Sequence, residues 1–494
     1  MSMLDFLMHY SLWGHAILLF TLVVVFEKII YCGYVVDDVV RQPHVYNLRT
    51  KEQYHQYRTK YFPSYLKQLL YGAGMFNNAK QEYIFNMCLH FINCCLIYKM
   101  TQNLIAPFLY LINPINNQTA IWMNGRRYAV ALFCVLMAWN FKILAILFYP
   151  FGAWIHVSAV AMPLLFLWTK YWWTVPLIAL LSIPGWAHYH SVFTSRKSEF
   201  KAGNENQVLT WKKGILYVKS IGYYFHISLL PNKPAMYHNF LYYFSSTEEG
   251  TKQGYSFNLD FFKGVAVIAF LSYMIIFQHS FGAFWFVLFV SQWCNVLQVT
   301  MNSADRYCSL ANVGLMIMLA ELLLKLPQPF GLMIFTALSV FYIVKYQPLF
   351  RAYTSVENFH LYHLHIQPDL VNPRFFLAKM YLTGRDPMSA FALIKKGLKY
   401  RPYDFKFLLT MMECMLAMDN IPQAFKVMDL AEKHIPFGEH EDVKNFFTGL
   451  RSQYQDRCDM MEANKRKQAD AIAAKMKLQK RTIHNNGQPI VAVK

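Results

Sequence analysis

Apolar runs long enough to cross a bilayer recur along the first 345 residues of this 494-residue chain, and that recurrence limits its fold more than any other feature. A segment crossing roughly 30 Å of hydrocarbon must satisfy its own backbone, so a run of about 20 apolar residues is expected to be a helix there. Clear runs lie near 11–33, 83–99, 119–138, 155–169, 172–188, 263–278, 281–299, 308–325 and 330–345, with shorter ones at 103–113 and 141–153. The stretch from Gly214 to Leu230 follows Lys212 and Lys213 and is interrupted by Lys219 and His226. It reads as a helix lying at the interface, because a lysine at bilayer depth is costly. The expected fold is all-α: a polytopic membrane domain of about eleven spans over 1–345, then a soluble helical region. The first run is too long for a signal peptide and lacks a small-residue cleavage pattern, so it is expected to remain as the first span.

Composition narrows the function classes. Only 15% of residues are charged and 55% are hydrophobic, against roughly a quarter charged in soluble domains. The net charge of +19 is read as basic residues meeting anionic lipid headgroups at span ends, and no nucleic-acid partner is expected. The nine cysteines form no paired CxxC units, so neither a metal site nor a disulfide framework is expected.

Function is then sought in the polar residues of the membrane part. Tyr34-Val35-Val36-Asp37-Asp38 sets two carboxylates where the first span ends, a pattern that a merely solvated span end also produces. Asn86 and His90 lie four apart in the second span, Asn113-Pro114 and Gly125-Arg126-Arg127-Tyr128 follow, and Asp305-Arg306-Tyr307 precedes a late span. Consecutive arginines in an apolar segment either face a cavity with an anionic partner or snorkel to headgroups. With eleven spans, Asp37, Asp38, Arg126, Arg127 and Arg306 fall on one membrane face. Such a set suits a reaction in which an acid deprotonates a hydroxyl while cations hold a lipid-linked phosphate leaving group. The same charges also suit the path of a transporter or flippase for lipid-linked sugars.

Beyond residue 345 the sequence repeats at a spacing of 34: Leu382 with Leu416, Ala390-Phe391 with Ala424-Phe425, and Pro402 with Pro436. That is the length and residue placement of tetratricopeptide repeats, expected over 346–437. A basic tail over 438–494 carries Lys465-Arg466-Lys467, Lys475, Lys477, Lys480 and Arg481 and is expected to be a solvated helix.

Taken in order, these motifs resemble the transmembrane and tetratricopeptide-repeat-containing O-mannosyltransferase-like glycosyltransferases, relatives of the protein O-mannosyltransferases with the GT-C fold. The matching residues are Val36-Asp37-Asp38, Asn86 with His90, Pro114 leading to Trp122 and Gly125-Arg126, Leu229-Leu230-Pro231, and Asp305-Arg306-Tyr307. The chain departs from the pattern at Tyr83 and Asn113, where histidines are usual, and at His156-Val157, where Lys-Glu is usual. The resemblance implies transfer of a hexose such as mannose from a polyprenyl-phosphate carrier, dolichyl or undecaprenyl, to a hydroxyl of a protein or surface glycan. Asp37 or Asp38 is implied as the base, and Arg126, Arg127 and Arg306 as the residues holding the donor phosphate in place of a metal. Asn86, His90, Asp305 and Tyr307 are implied as supports. The repeats would present the acceptor or dock a protein partner. The implied location is the ER membrane in a eukaryote and the inner membrane in a bacterium or its phage.

Overall fold

The computed structural model describes residues 11–32, 79–169, 175–180, 211–236, 256–294, 304–435 and 440–485, with isolated positions 183, 187 and 238. Among them every regular element is helical and no strand occurs. The chain forms two compact units, Met1–Pro373 and Arg374–Lys494.

Among the described residues of the first unit five helices are long and apolar enough to cross a membrane: Leu12–Tyr31, Lys80–Thr101, Leu259–Ile276, Asp305–Lys325 and Gln328–Ala352. Their burial separates them into two roles. The most apolar window of Asp305–Lys325 is 78% buried, whereas those of Leu259–Ile276 and Gln328–Ala352 are 17% and 22% buried. Asp305–Lys325 is thus enclosed by its neighbours, while the other two turn Phe262, Tyr273, Phe330 and Met333 outward. Apolar surface on that scale is stable against hydrocarbon, not water. The enclosed helix packs closely on Phe281–Ser291: a Cβ on Gly314 would lie 2.5 Å from the Gly282 carbonyl oxygen, so small residues bring the two backbones together.

Other apolar runs are shorter or interrupted helices. The run expected at 119–138 is divided into Asn117–Ala120, a 3-10 turn Met123–Gly125 and the 15-residue helix Arg126–Asn140. The reason is polar: Asn113 turns back to accept from the Ile115 amide at 3.0 Å, and the Asn117 side chain donates to the Pro114 carbonyl at 2.8 Å. Such side-chain bonds compete with a continuing helix. The run at 103–113 is the buried eight-residue helix Ile105–Ile112. The stretch expected at the interface is a 19-residue helix, Trp211–Leu229, that packs along Leu259–Ile276 and leaves His226 exposed.

The boundary expected at 345 falls inside the Gln328–Ala352 helix. The helix that follows it, Val356–Ile366, belongs to the first unit too, because the Tyr362 hydroxyl donates to the Pro234 carbonyl at 2.9 Å and His363 accepts from the Met236 amide at 2.8 Å.

The second unit begins within the first of two helix pairs, Val371–Thr383 with Pro387–Tyr400 and Phe405–Ala417 with Ile421–Glu432, whose starts at 371 and 405, and at 387 and 421, are offset by 34 residues. Asp386 and Asp404 cap the helices that follow them, accepting from Ser389 and Phe407 amides at 3.0 and 3.2 Å. Ala390 and Ala424, related by the same offset, are fully buried. The helix His440–Asn485 follows, joined to the second pair by Arg451, which reaches Asp429 at 2.5 Å and Glu432 at 3.1 Å. Its residues Lys465, Arg466, Lys467, Lys475 and Lys477 are exposed.

Candidate functional site

One end of the first unit gathers the polar residues described below. The end of Leu12–Tyr31 lies beside the end of Gln328–Ala352: the Lys28 ammonium reaches Gln347 at 3.2 Å, and Cys32 Sγ approaches the Phe350 carbonyl at 3.7 Å. Tyr353, just past that helix, donates to Asn117 Oδ1 at 3.1 Å. The starts of Lys80–Thr101, Arg126–Asn140 and Asp305–Lys325 meet this same end through the contacts described next. Asp37 and Asp38 lie outside the described residues.

Arg126 is fully buried at the start of its helix. Its Nη2 donates to a Glu82 carboxylate oxygen at 2.6 Å and its Nε to Asn86 Oδ1 at 2.5 Å, while the guanidinium lies 4.8 Å from the Phe85 ring centre. Glu82 supplies the counter-charge, with neither side chain exposed. His90, one turn beyond Asn86, donates from Nε2 to the Leu111 carbonyl at 3.1 Å between the rings of Phe26 and Tyr110. Glu82, Asn86 and His90 thus lock two helices and the Ile105–Ile112 segment together.

Arg306 and Asp305 share the 3-10 turn Asp305–Cys308, which opens the enclosed helix. Arg306 is 6% exposed, donates from Nη1 to Gln118 Oε1 at 3.0 Å and hydrogen-bonds the Tyr128 side chain. Its guanidinium lies 5.0 Å from the Tyr307 ring centre and 5.7 Å from that of Trp122. Tyr307 stacks on Trp293 at 4.4 Å with the planes 4° apart, and His156 stacks on the same indole at 5.8 Å. Arg127 joins this group, since it and Arg306 both act electrostatically on Tyr128 and His156. An arginine beside flat aromatic faces, as Arg306 is, combines cation recognition of phosphate with an apolar platform for a ring.

Gly125 lets the chain reach this arrangement. A Cβ there would lie 1.7 Å from the Gln118 carbonyl oxygen, so only glycine allows Gln118 and Arg126 to sit as they do. The Gln118 amide nitrogen in turn donates to the Ala235 carbonyl at 2.8 Å.

The Asp305 carboxylate points elsewhere and is fully buried. One oxygen accepts from Asn117 Nδ2 and from the Ala235 amide, both at 2.7 Å; the other accepts from His238 Nε2 at 2.5 Å. This pair lines a cavity of about 180 Å³ that also reaches Tyr223, His226, Lys233 and Gln367. The Leu229-Leu230-Pro231 segment borders it, with Leu230 and Pro231 in its wall. Sequence reasoning singled out Asp305 but missed Glu82, His238 and Gln367. Their only sequence signal is a titratable or amide side chain in an otherwise apolar neighbourhood.

Among the described residues no group of three or more His, Cys, Asp or Glu side chains is placed to hold a metal. No family model, no curated protein and no solved structure matches this chain.

Proposed function

We propose that this chain is an integral-membrane glycosyltransferase that moves a hexose such as mannose from a dolichyl- or undecaprenyl-phosphate carrier to a hydroxyl of a protein or surface glycan. In this reading the membrane part is a GT-C-type domain of about eleven spans, and the helix pairs offset by 34 residues are tetratricopeptide repeats that present the acceptor. The observation that carries it is the buried position of Arg306 against Tyr307 of the Trp293–Tyr307 stack, at the opening of the most enclosed of the five long helices. Charged groups at such a place are costly and are retained for ligands. A lipid-linked phosphate suits such a cationic place, and the cations stabilise the charge that grows on it as the sugar departs. Asp37 or Asp38 is the base suggested by resemblance. Arg126, neutralised by Glu82, positions the helix that carries Arg127 and does not face the phosphate.

The test is reconstitution of the purified protein with a polyprenyl-phosphate hexose and a candidate acceptor, with the product read by mass spectrometry. A hexose increment that requires the wild-type chain supports the reading. Its absence with every donor, under conditions where the protein is folded, overturns it.

A further inference from the structure

The Asp305–His238 pair is not used by that reading, yet it has the arrangement of an oriented base. A histidine acts as a base when one nitrogen is fixed by a carboxylate and the other faces a place where a proton donor sits. His238 Nε2–H donates to Asp305, which leaves the Nδ1 lone pair to face Gln367, whose amide nitrogen is 3.4 Å away. The ring is held edge to face by Tyr223 at 5.8 Å. Asp305 is itself fixed by Asn117 and the Ala235 amide, so the carboxylate is oriented before any ligand arrives. The cavity of about 180 Å³ far exceeds the space for a water, which needs about 10–15 Å³. Exposed His226 and Lys233 are among its lining residues, and its size suits a single sugar ring or an amino-acid side chain, not a lipid chain.

From this geometry we infer that the cavity is the acceptor-hydroxyl site and that His238, held by Asp305, is the base acting on that hydroxyl. The inference rests on the glycosyl-transfer reading and assigns the proton to a residue other than the aspartate pair. The acceptor hydroxyl takes the place of the Gln367 amide at Nδ1. Its proton passes to Nδ1, the oxygen bonds to the anomeric carbon, and the bond from that carbon to the phosphate oxygen breaks. The electron pair leaves with the polyprenyl phosphate, and the imidazolium then returns its proton to water. Asp305 stabilises the imidazolium and is a positioning residue.

The experiment has two arms on the full-length protein. In the first, His238→Asn lowers transfer by about 100-fold or more with donor binding unchanged, and His238→Gly regains part of its rate on addition of imidazole. Transfer by a folded His238→Asn protein at the wild-type rate overturns the assignment and leaves the glycosyl-transfer reading standing. The second arm needs neither transfer nor a variant. Diethyl pyrocarbonate acylates His238 in the wild type, located by peptide mass spectrometry, and a threonine peptide or methyl mannoside slows that acylation. Protection by the peptide marks a protein acceptor and protection by the mannoside a glycan acceptor. Protection in a protein that transfers no sugar keeps the hydroxyl site and refutes the donor reading. Protection by neither overturns the site.

Discussion

Glu82 and Arg126, 44 residues apart, meet with a carboxylate oxygen 2.6 Å from the guanidinium, and neither side chain is exposed. Removing one partner leaves the other charge buried and uncompensated. Arg126→Ala or Glu82→Ala is therefore expected to cost about 3–5 kcal/mol, whereas Glu82→Gln with Arg126→Met loses less than the two single changes together. Thermal melts of the four proteins in detergent check this. A large loss of donor affinity in Arg126→Ala without loss of melting temperature refutes the positioning role.

Arg306 and Arg127 are expected to behave differently from Arg126. Each alanine variant raises the donor concentration needed, by the loss of a charge-assisted contact of about 1.5–3 kcal/mol. Arg306→Lys recovers only part, since lysine keeps the charge but loses the planar fork that lies by Tyr307 and reaches Gln118. Titration with a polyprenyl-phosphate donor in nanodiscs measures it, and wild-type affinity in both alanine variants moves the donor elsewhere.

Gly125→Ala adds a methyl group 1.7 Å from a backbone carbonyl that cannot give way without moving Gln118. The expected result is a lower melting temperature, by the roughly 1–3 kcal/mol or more of overpacking, together with weaker donor binding as Gln118 releases Arg306. An unchanged melt sinks it.

Stability is expected to fall with acid because of two histidines outside the spans. Burial lowers His363 to about 3 and His360 to about 4 from the ordinary 6.5. Both are neutral in the fold, and His363 uses that neutrality, donating from Nδ1 to the Phe359 carbonyl and accepting at Nε2 from Met236. Between the folded and unfolded values the unfolded chain binds more protons, so this contribution is fully present above pH 6.5 and decreases as pH falls toward 3–4. Melts from pH 8 to pH 5 should show that slope, and His363→Gln should make it shallower.

A chain ending at Pro373 is expected to fold and to transfer sugar to small acceptors, with a larger loss toward protein acceptors, because the removed helices would supply binding remote from the reacting hydroxyl. A chain ending at Tyr346 should fail, since it lacks Tyr353, Tyr362, His363 and Gln367. Unchanged preference between large and small acceptors in the folded 1–373 protein excludes the acceptor-arm role.

What the sequence made legible follows from range. Apolar length marked the five long helices, and the 34-residue offset marked the helix pairs, because both signals are local. Asp305 and Arg306 stood out as charges beside an apolar run. Glu82 and His238 did not, since their meaning depends on partners 44 and 67 residues away. The break near Met123 was hidden for a related reason: the apolar count over 119–138 is high, and the amide groups that interrupt the helix act from Asn113 to Gln118, before the run begins. His90 was expected to support the site, and its bond to the Leu111 carbonyl, 21 residues on, is a detail that only neighbours can show.

Asp305 and Arg306 are consecutive and of opposite charge, yet the side-chain bonds described for them go to different partners. A 3-10 turn advances about 120° per residue, so adjacent side chains leave the backbone in widely separated directions. The turn therefore sends the carboxylate to Asn117, His238 and the Ala235 amide and the guanidinium to Gln118, one residue apart. A single peptide unit sets the spacing between the two sets of partners, and inserting one residue there would turn one of the two charges away from its partners while preserving every amino acid around them.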